Sequence, residues 1–291
     1  MSQALYTNAQ QHRLSRVIPD LIHHRELLRD MVWKELRARY RNAMMGFLWA
    51  VLQPVLMMLI LTFVFGYLLP EMMGARLGSG GHSYASHLLC GLVPWQFLAV
   101  ALACGTNSLL ESQDLIKKVY FPREIIPIAA VLNCLVNLAI GFVTLLVVIA
   151  ALEGPSTLGV GVLYFPLIFA VQFVLVIGIV LLLSALNVYY RDVSYMIEVV
   201  LAFGFYATPI LYPLPKSLGA LPVPEAWKPW FYQLYLANPM ANLIPAYRQA
   251  LLENQVPDAA LLWRPAVLAV VMLVVGAWLF RRQAPTFADH L

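Results

Sequence analysis

The sequence predicts an all-α integral membrane protein: six transmembrane helices, an N-terminal amphipathic interface helix, and short external helices at the membrane surface or re-entrant within it. Three observations lead there. Of the 291 residues, 61% are hydrophobic and only 12% charged, whereas soluble domains carry about 25% charged residues; the mean hydropathy is +0.75. The apolar residues gather into separate runs, several of them near the ~20 residues of helix that a hydrocarbon core requires. The positive charge, finally, collects in alternate connections. A chain so apolar has no room for a sizeable soluble catalytic domain.

Residues 1–45 form the N-terminal segment. The first 20 are polar and lack the apolar core of a signal peptide, so no cleaved secretory signal is expected. From Leu21 to Arg41, Leu28, Val32, Leu36 and Tyr40 recur every four residues, with Arg25, Arg29, Lys34, Arg37 and Arg41 on the other surfaces. This is a basic amphipathic helix, suited to the membrane interface or to a partner surface. The periodicity does not choose between the two.

The transmembrane domain covers 46–282, with spans at 46–69, 84–110, 125–152, 158–188, 193–211 and 265–280. Pro54 bends the first span without ending it, because neighbouring helices can satisfy the freed carbonyl. Pro94 interrupts the second, whose continuous part follows the proline. Gly154-Pro155-Ser156 turns the third into the fourth, and the fifth is the least regular. Between 213 and 235, repeated prolines alternate with Trp227, Trp230, Phe231, Tyr232 and Tyr235, which points to short helices at headgroup level. The last span is expected from Pro265 to Phe280, closed by Arg281-Arg282, and 283–291 is a cytoplasmic tail.

Charge sets the orientation. Residues 1–45, 111–124, 189–198 and 281–291 hold 14 of the 19 Lys and Arg residues. Lys and Arg favour the cytoplasmic side, so six spans with both termini in the cytoplasm follow.

The polar groups in apolar surroundings have bland and functional readings. Asn133 and Asn137 share a face of the third span, and Gln53, Asn107 and Gln172 lie in or near others. Unpaired amides are costly in hydrocarbon, so these face protein or water. Glu198 is either a helix start or a charge held against a partner. Phe165, Phe169 and Phe173 share a side of the fourth span, as Phe63 and Tyr67 do on the first; they line a channel or pack between helices. Cys90, Cys104 and Cys134 read as small buried hydrophobes. His23, His24, His82 and His87 lack metal-ligand spacing, so no metal site is expected.

Four stretches in order carry a resemblance: "RNAMMGFLWAVLQPVLMMLILTFVFG" (Arg41–Gly66), "LIKKVYFPREIIP" (Leu115–Pro127), "LNVYYRDV" (Leu186–Val193) and "ANPMANLIPAYR" (Ala237–Arg248). Together they resemble the transmembrane subunit of ABC-2-type polysaccharide exporters, which move lipid-linked O-antigen, capsular polysaccharide or teichoic acid across the bacterial inner membrane. The resemblance runs from about Arg25 to Arg282. It implies a homodimer of this subunit with two copies of a separate ATP-binding subunit, and a glycan that leaves on its polyprenyl-diphosphate carrier; membrane lipids are the other partners, and nucleic acid is not one. The sequence contains no GxxxxGK[ST] phosphate loop, so ATP and Mg are expected on the partner, with no cofactor on this chain and no enzymatic activity of its own.

The resemblance also distributes roles. The first cytoplasmic loop, with Glu111, Gln113, Asp114, Lys117, Lys118 and Tyr120, is the expected coupling segment for the ATPase. Arg25, Arg29, Lys34, Arg37, Arg39 and Arg41 meet the carrier diphosphate or anionic headgroups, since guanidinium matches phosphate with paired hydrogen bonds. An aromatic channel raises the standing of Phe63, Tyr67, Phe165, Phe169 and Phe173, and 213–235 becomes an external gate. An ABC-2 exporter of a small drug or lipid is the alternative cargo. A membrane glycosyltransferase or a non-transporting scaffold is the alternative class.

Overall fold

The computed structural model describes residues 23–41, 48–68, 83–119, 121–212, 224 and 226–291. Tyr120, most of the 1–45 segment and residues 213–223 of the expected gate lie outside them, as do the side chains of Arg39, Arg41, Tyr67 and Phe231. Among the described residues every regular element is helical.

The elements are α1 (Arg25–Arg41), α2 (Leu48–Thr62, continued by a π turn Phe63–Leu68), α3 (Tyr84–Glu111) and α4 (Gln113–Lys118). Then come α5 (Ile125–Leu152), α6 (Phe165–Tyr189), α7 (Val193–Ala207), α8 (Lys228–Leu236) and α9 (Pro239–Leu251). Last are α10 (Ala259–Gln283) and α11 (Phe287–His290).

Among the described residues four helices are long and apolar enough to cross a membrane: α3, α5, α6 with the 3-10 turn before it, and α10 with the terminal turns after it. Two further apolar helices, within α2 and α7, are shorter. At 1.5 Å per residue, the 15 residues of α7 reach ~22 Å, short of a hydrocarbon core of ~30 Å. Its end is chemically defined. The residue before a proline is pushed out of the helical region, and Thr208, ahead of Pro209, has φ −98 and ψ 146.

Several boundaries differ from the sequence expectation. The second span is not interrupted: α3 runs unbroken through Pro94. The last span begins at Ala259, with Pro265 inside it, because the Asp258 side chain accepts the Ala260 amide at 2.9 Å and caps the helix earlier. The fourth opens as 3-10 turns, Pro155–Thr157 and Val160–Tyr164, before the α-helix starts at Phe165. Glu198 is no helix start. It sits in the second turn of α7, which begins at Val193, and is exposed.

Packing centres on α3, which touches α2, α5, α6, α7 and α9 and buries eighteen of its residues. The most extensive contact joins α6 to α10, and glycine explains it. A Cβ at Gly178 would strike the backbone of Met272 and Leu273, and one at Gly276 would strike the Gly178 carbonyl. Without a hydrophobic force between helices in lipid, such small residues let backbones approach and gain dispersion. The length of α3, 28 residues or ~42 Å, separates two functional ends. One leads into α4. The other meets α9 and the chain break at 208–212.

Candidate functional site

At the first end, α3 bends at Ser112 into α4. Glu111, Gln113, Asp114, Lys117 and Lys118 are all exposed, while Ile116 is buried and Leu115 packs beneath. Asp114 in the first turn and Lys117 and Lys118 in the last match the helix dipole. The result is a short charged ridge with an apolar underside. Phe121 anchors the exit, and Glu124 at the start of α5 accepts from Arg281 Nε at 2.8 Å. Both side chains of this pair are under a tenth exposed. Arg123 donates to the Ala284 carbonyl.

The periodicity leaves open whether α1 faces the membrane interface or a partner surface. α1 packs along α5, with Leu27, Leu28 and Met31 against the core. Glu35 accepts from the Asn133 amide of α5. Part of this helix therefore packs on the chain itself, while Arg25, Arg29, Lys34 and Arg37 remain exposed. Arg37 lies 5.9 Å over the Trp33 ring, a tryptophan that is itself 55% exposed. Basic residues beside an exposed tryptophan suit the headgroup level of a bilayer.

Aromatic rings from four helices meet in the bundle. Phe165 stacks on Phe142 of α5 at 3.7 Å and lies 5.6 Å from Tyr247 of α9. Phe169 faces Phe97 of α3 at 5.4 Å, and Phe173 continues the row at 5.8 Å. All three are partly buried. Phe63 of the π turn is exposed.

At the second end, α9 is nearly all buried. Asn238 caps it by accepting the Met240 amide at 3.0 Å and donates to Thr208 at 2.9 Å, tying the helix to the end of α7. Tyr247 donates to Gln172 at 2.8 Å, and Gln172 donates to the Pro94 carbonyl at 2.8 Å. Gln172 thus joins α9 to α3.

Arg248 is the centre of this end. Its Nη1 donates to the Pro209 carbonyl at 2.7 Å and its Nη2 to that of Ile210 at 2.8 Å. Nη2 and Nε also reach the His87 carbonyl at 3.2 and 3.3 Å. Burial lowers the guanidinium pKa, and the converging carbonyl dipoles oppose that penalty. Irregular backbone at membrane depth persists only when protein satisfies it, and Arg248 satisfies three carbonyls at once. Gly91 lies close beside it: a Cβ there would sit 3.2 Å from Arg248 Nη2 and 3.3 Å from the Ile210 Cα, a tight contact that the neighbours would have to yield to by a few tenths of an ångström.

Beyond this latch the aromatics of α8 differ among themselves. Trp227, Trp230 and Tyr232 are exposed, Tyr235 is partly buried. Burial, with Tyr212 beside it, raises the Tyr235 phenol far above its usual value, so it stays a neutral hydroxyl.

The sequence marks Arg248 only as a letter of a motif and Arg281 only as the close of the last span, and it assigns no role to Glu124 or Glu35. A charged residue within an apolar, proline-bounded stretch was the available signal for Arg248. The other three looked like ordinary loop or surface charges. Among the described residues no group of three or more metal-ligating side chains assembles.

Comparison with known proteins follows the same outline. The family described as "ABC-2 type transporter" matches residues 26–252. An "O-antigen export system permease protein RfbA" of Myxococcus xanthus is 29% identical over 95% of this chain and 99% of that one. A protein of the same name from Klebsiella pneumoniae is 27% identical over 91% of this chain and 95% of its own length. A "Polysialic acid transport protein KpsM" of Escherichia coli is 24% identical over 86% and 90%.

Proposed function

The chain belongs to the ABC-2 type transporter family, and from that premise we propose that it is the permease subunit of an ATP-driven exporter of polyprenyl-diphosphate-linked polysaccharide, O-antigen foremost. Cargo would pass from the cytoplasmic to the periplasmic side of the bacterial inner membrane. The observation that carries the reading is similarity, over 95% of this chain and 99% of the relative, to a protein named for O-antigen export.

In this reading α2, α3, α5, α6, α7 and α10 are the six spans, with both termini cytoplasmic. The cluster of Lys117, Lys118, Arg123, Arg281 and Arg282 at one end supports that side as cytoplasmic. The charged ridge of α4 receives the ATP-binding subunit, which holds ATP and Mg. Two such subunits serve two copies of this chain. A second copy is supported by the face of α7, where Tyr195, Val199 and Phe203 are each at least 70% exposed beside the exposed Glu198. A carboxylate facing lipid is costly, so that face suits protein or a water-filled passage better.

The exposed arginines of α1 hold the carrier diphosphate or anionic headgroups as it enters. The partly buried Phe165, Phe169 and Phe173 and the exposed Phe63 offer flat apolar surfaces to sugar rings. The aromatic stretch 213–235 closes the outer mouth as an external gate.

Deleting the gene in its host tests the proposal. Surface polysaccharide should vanish and lipid-linked glycan should accumulate inside. This chain should restore export, whereas the quadruple alanine variant at Gln113, Asp114, Lys117 and Lys118 should not. Unchanged surface polysaccharide in the deletion strain would sink the reading.

A further inference from the structure

The residues after α10 do not trail away from the bundle. A 3-10 turn, Ala284–Thr286, continues the chain, and α11 comes to lie against both α4 and α6. Phe287 is fully buried, its ring edge-on to Phe280 at 5.2 Å and to Tyr189 at 6.3 Å. The His290 ring is 4.7 Å from Tyr189. The Tyr189 hydroxyl, at the last residue of α6, pairs with Thr286 Oγ1 and reaches the Gln283 carbonyl. Just before the turn, the Arg281–Glu124 pair and the Arg123–Ala284 contact bind the end of α10 to the start of α5.

Seen from α4, this terminus is the missing support. The helix has six residues and one buried side chain, Ile116. A helix that short has no stability of its own, and a bend at Ser112 leads into it. Left alone it would yield to a load rather than pass it on. With α11 behind it, α4 is fixed to the ends of both α6 and α10, the two helices locked together at Gly178 and Gly276.

We propose that the C-terminal segment 284–291 is a brace that positions α4, with Phe287 as its wedge, so that a displacement imposed on α4 is carried directly into α6 and α10. The proposal rests on the reading of α4 as the docking site of the ATP-binding subunit. It gives the segment a function in energy coupling, whereas the sequence suggested only a tail. Phe287 would touch neither ATP nor glycan. Its effect is on how much transport each hydrolysed ATP produces.

The test uses the whole transporter, this chain with its ATP-binding subunit, in proteoliposomes containing lipid-linked glycan. Three quantities are read: association of the subunits, ATP hydrolysis, and glycan moved per ATP. For Phe287→Ala, association should stay within about twofold of wild type. Glycan moved per ATP should fall about tenfold, as removal of a buried aromatic wedge leaves a cavity in place of contact. Phe287→Leu, which refills most of that space, should recover at least about half of the ratio. If Phe287→Ala does not yield folded chain, Tyr189→Phe carries the test. It keeps every ring and removes only the hydroxyl joined to Thr286 and Gln283, and glycan per ATP should fall about threefold.

An unchanged ratio in the assembled variant, or in Tyr189→Phe where that variant carries the test, overturns the brace. Failure of the underlying reading looks different. The quadruple alanine variant of α4 would then leave association intact, and the brace would fall with it. A loss of association in Phe287→Ala as large as in the α4 variant also overturns the brace, since α11 would then be part of the docking surface itself.

Discussion

Arg248 offers the sharpest test of how the outer end is held. Replacing it by methionine keeps an unbranched apolar stem but removes every donor. The carbonyls of Pro209, Ile210 and His87 would lose contacts of 2.7, 2.8 and 3.2 Å. Hydrogen bonds to a charged group contribute about 1.5–3 kcal/mol each, so the two short ones alone set a scale of about 3–6 kcal/mol. Relaxation and entering water recover part, leaving a net loss of about 3–5 kcal/mol. At roughly 2–4 °C per kcal/mol for a chain of this order of size, the melting point should drop by about 10 °C. Arg248→Lys should lose about half as much, because an ammonium lacks the planar fork that reaches separate carbonyls. Thermal unfolding of the detergent-purified protein, followed by loss of the monodisperse peak, measures all three. A methionine variant within about 2 °C of wild type, well under one such contact, would refute the claim that Arg248 holds the chain break in place.

Two further substitutions probe the packing that carries the sites. Arg281→Met leaves Glu124 buried without its partner and should destabilise by about 3–5 kcal/mol; adding Glu124→Leu in the same chain should recover most of this, read from the same melting curves. Gly276→Val forces α10 away from the Gly178 carbonyl, and overpacking of this kind costs about 1–3 kcal/mol or more. Expression of folded protein should fall sharply, while Ala266→Val in the same helix serves as the control. Equal yields of the two would contradict the close approach of α6 and α10.

How much of this was legible in the sequence depends on whether the cause was local. The long apolar runs that became α3, α5 and α6 are local facts, and their positions agree with expectation to within a few residues apart from the 3-10 opening of α6. The prolines misled because a proline removes one amide and leaves the rest of a helix to its surroundings. Pro94 and Pro265 sit inside continuous helices, whereas Pro209 marks the stop of α7. Only the bundle decides between those outcomes.

The polar contacts were beyond reach for a related reason. Glu35 meets Asn133 from 98 positions away, and Arg248 meets His87 from 161. No periodicity encodes such pairs. Sequence could say that Asn133 and Gln172 needed protein or water, and the structure supplies the partners: Glu35 for the first, Pro94 and Tyr247 for the second. The terminal residues 284–291 carried no pattern distinguishing a docked turn from a loose tail. Their burial is decided by Phe287 finding Phe280 and Tyr189, one close in sequence and one far.

The central claim is that this chain conducts a lipid-linked polysaccharide when a separate subunit hydrolyses ATP. Glycan translocation in proteoliposomes containing the chain, its ATP-binding subunit and the lipid-linked glycan measures it directly. The account predicts that glycan becomes accessible on the far side only with ATP and Mg present, and only with both subunits. Movement of the glycan without the ATP-binding subunit, or its absence with every component present and ATP being consumed, would contradict the account.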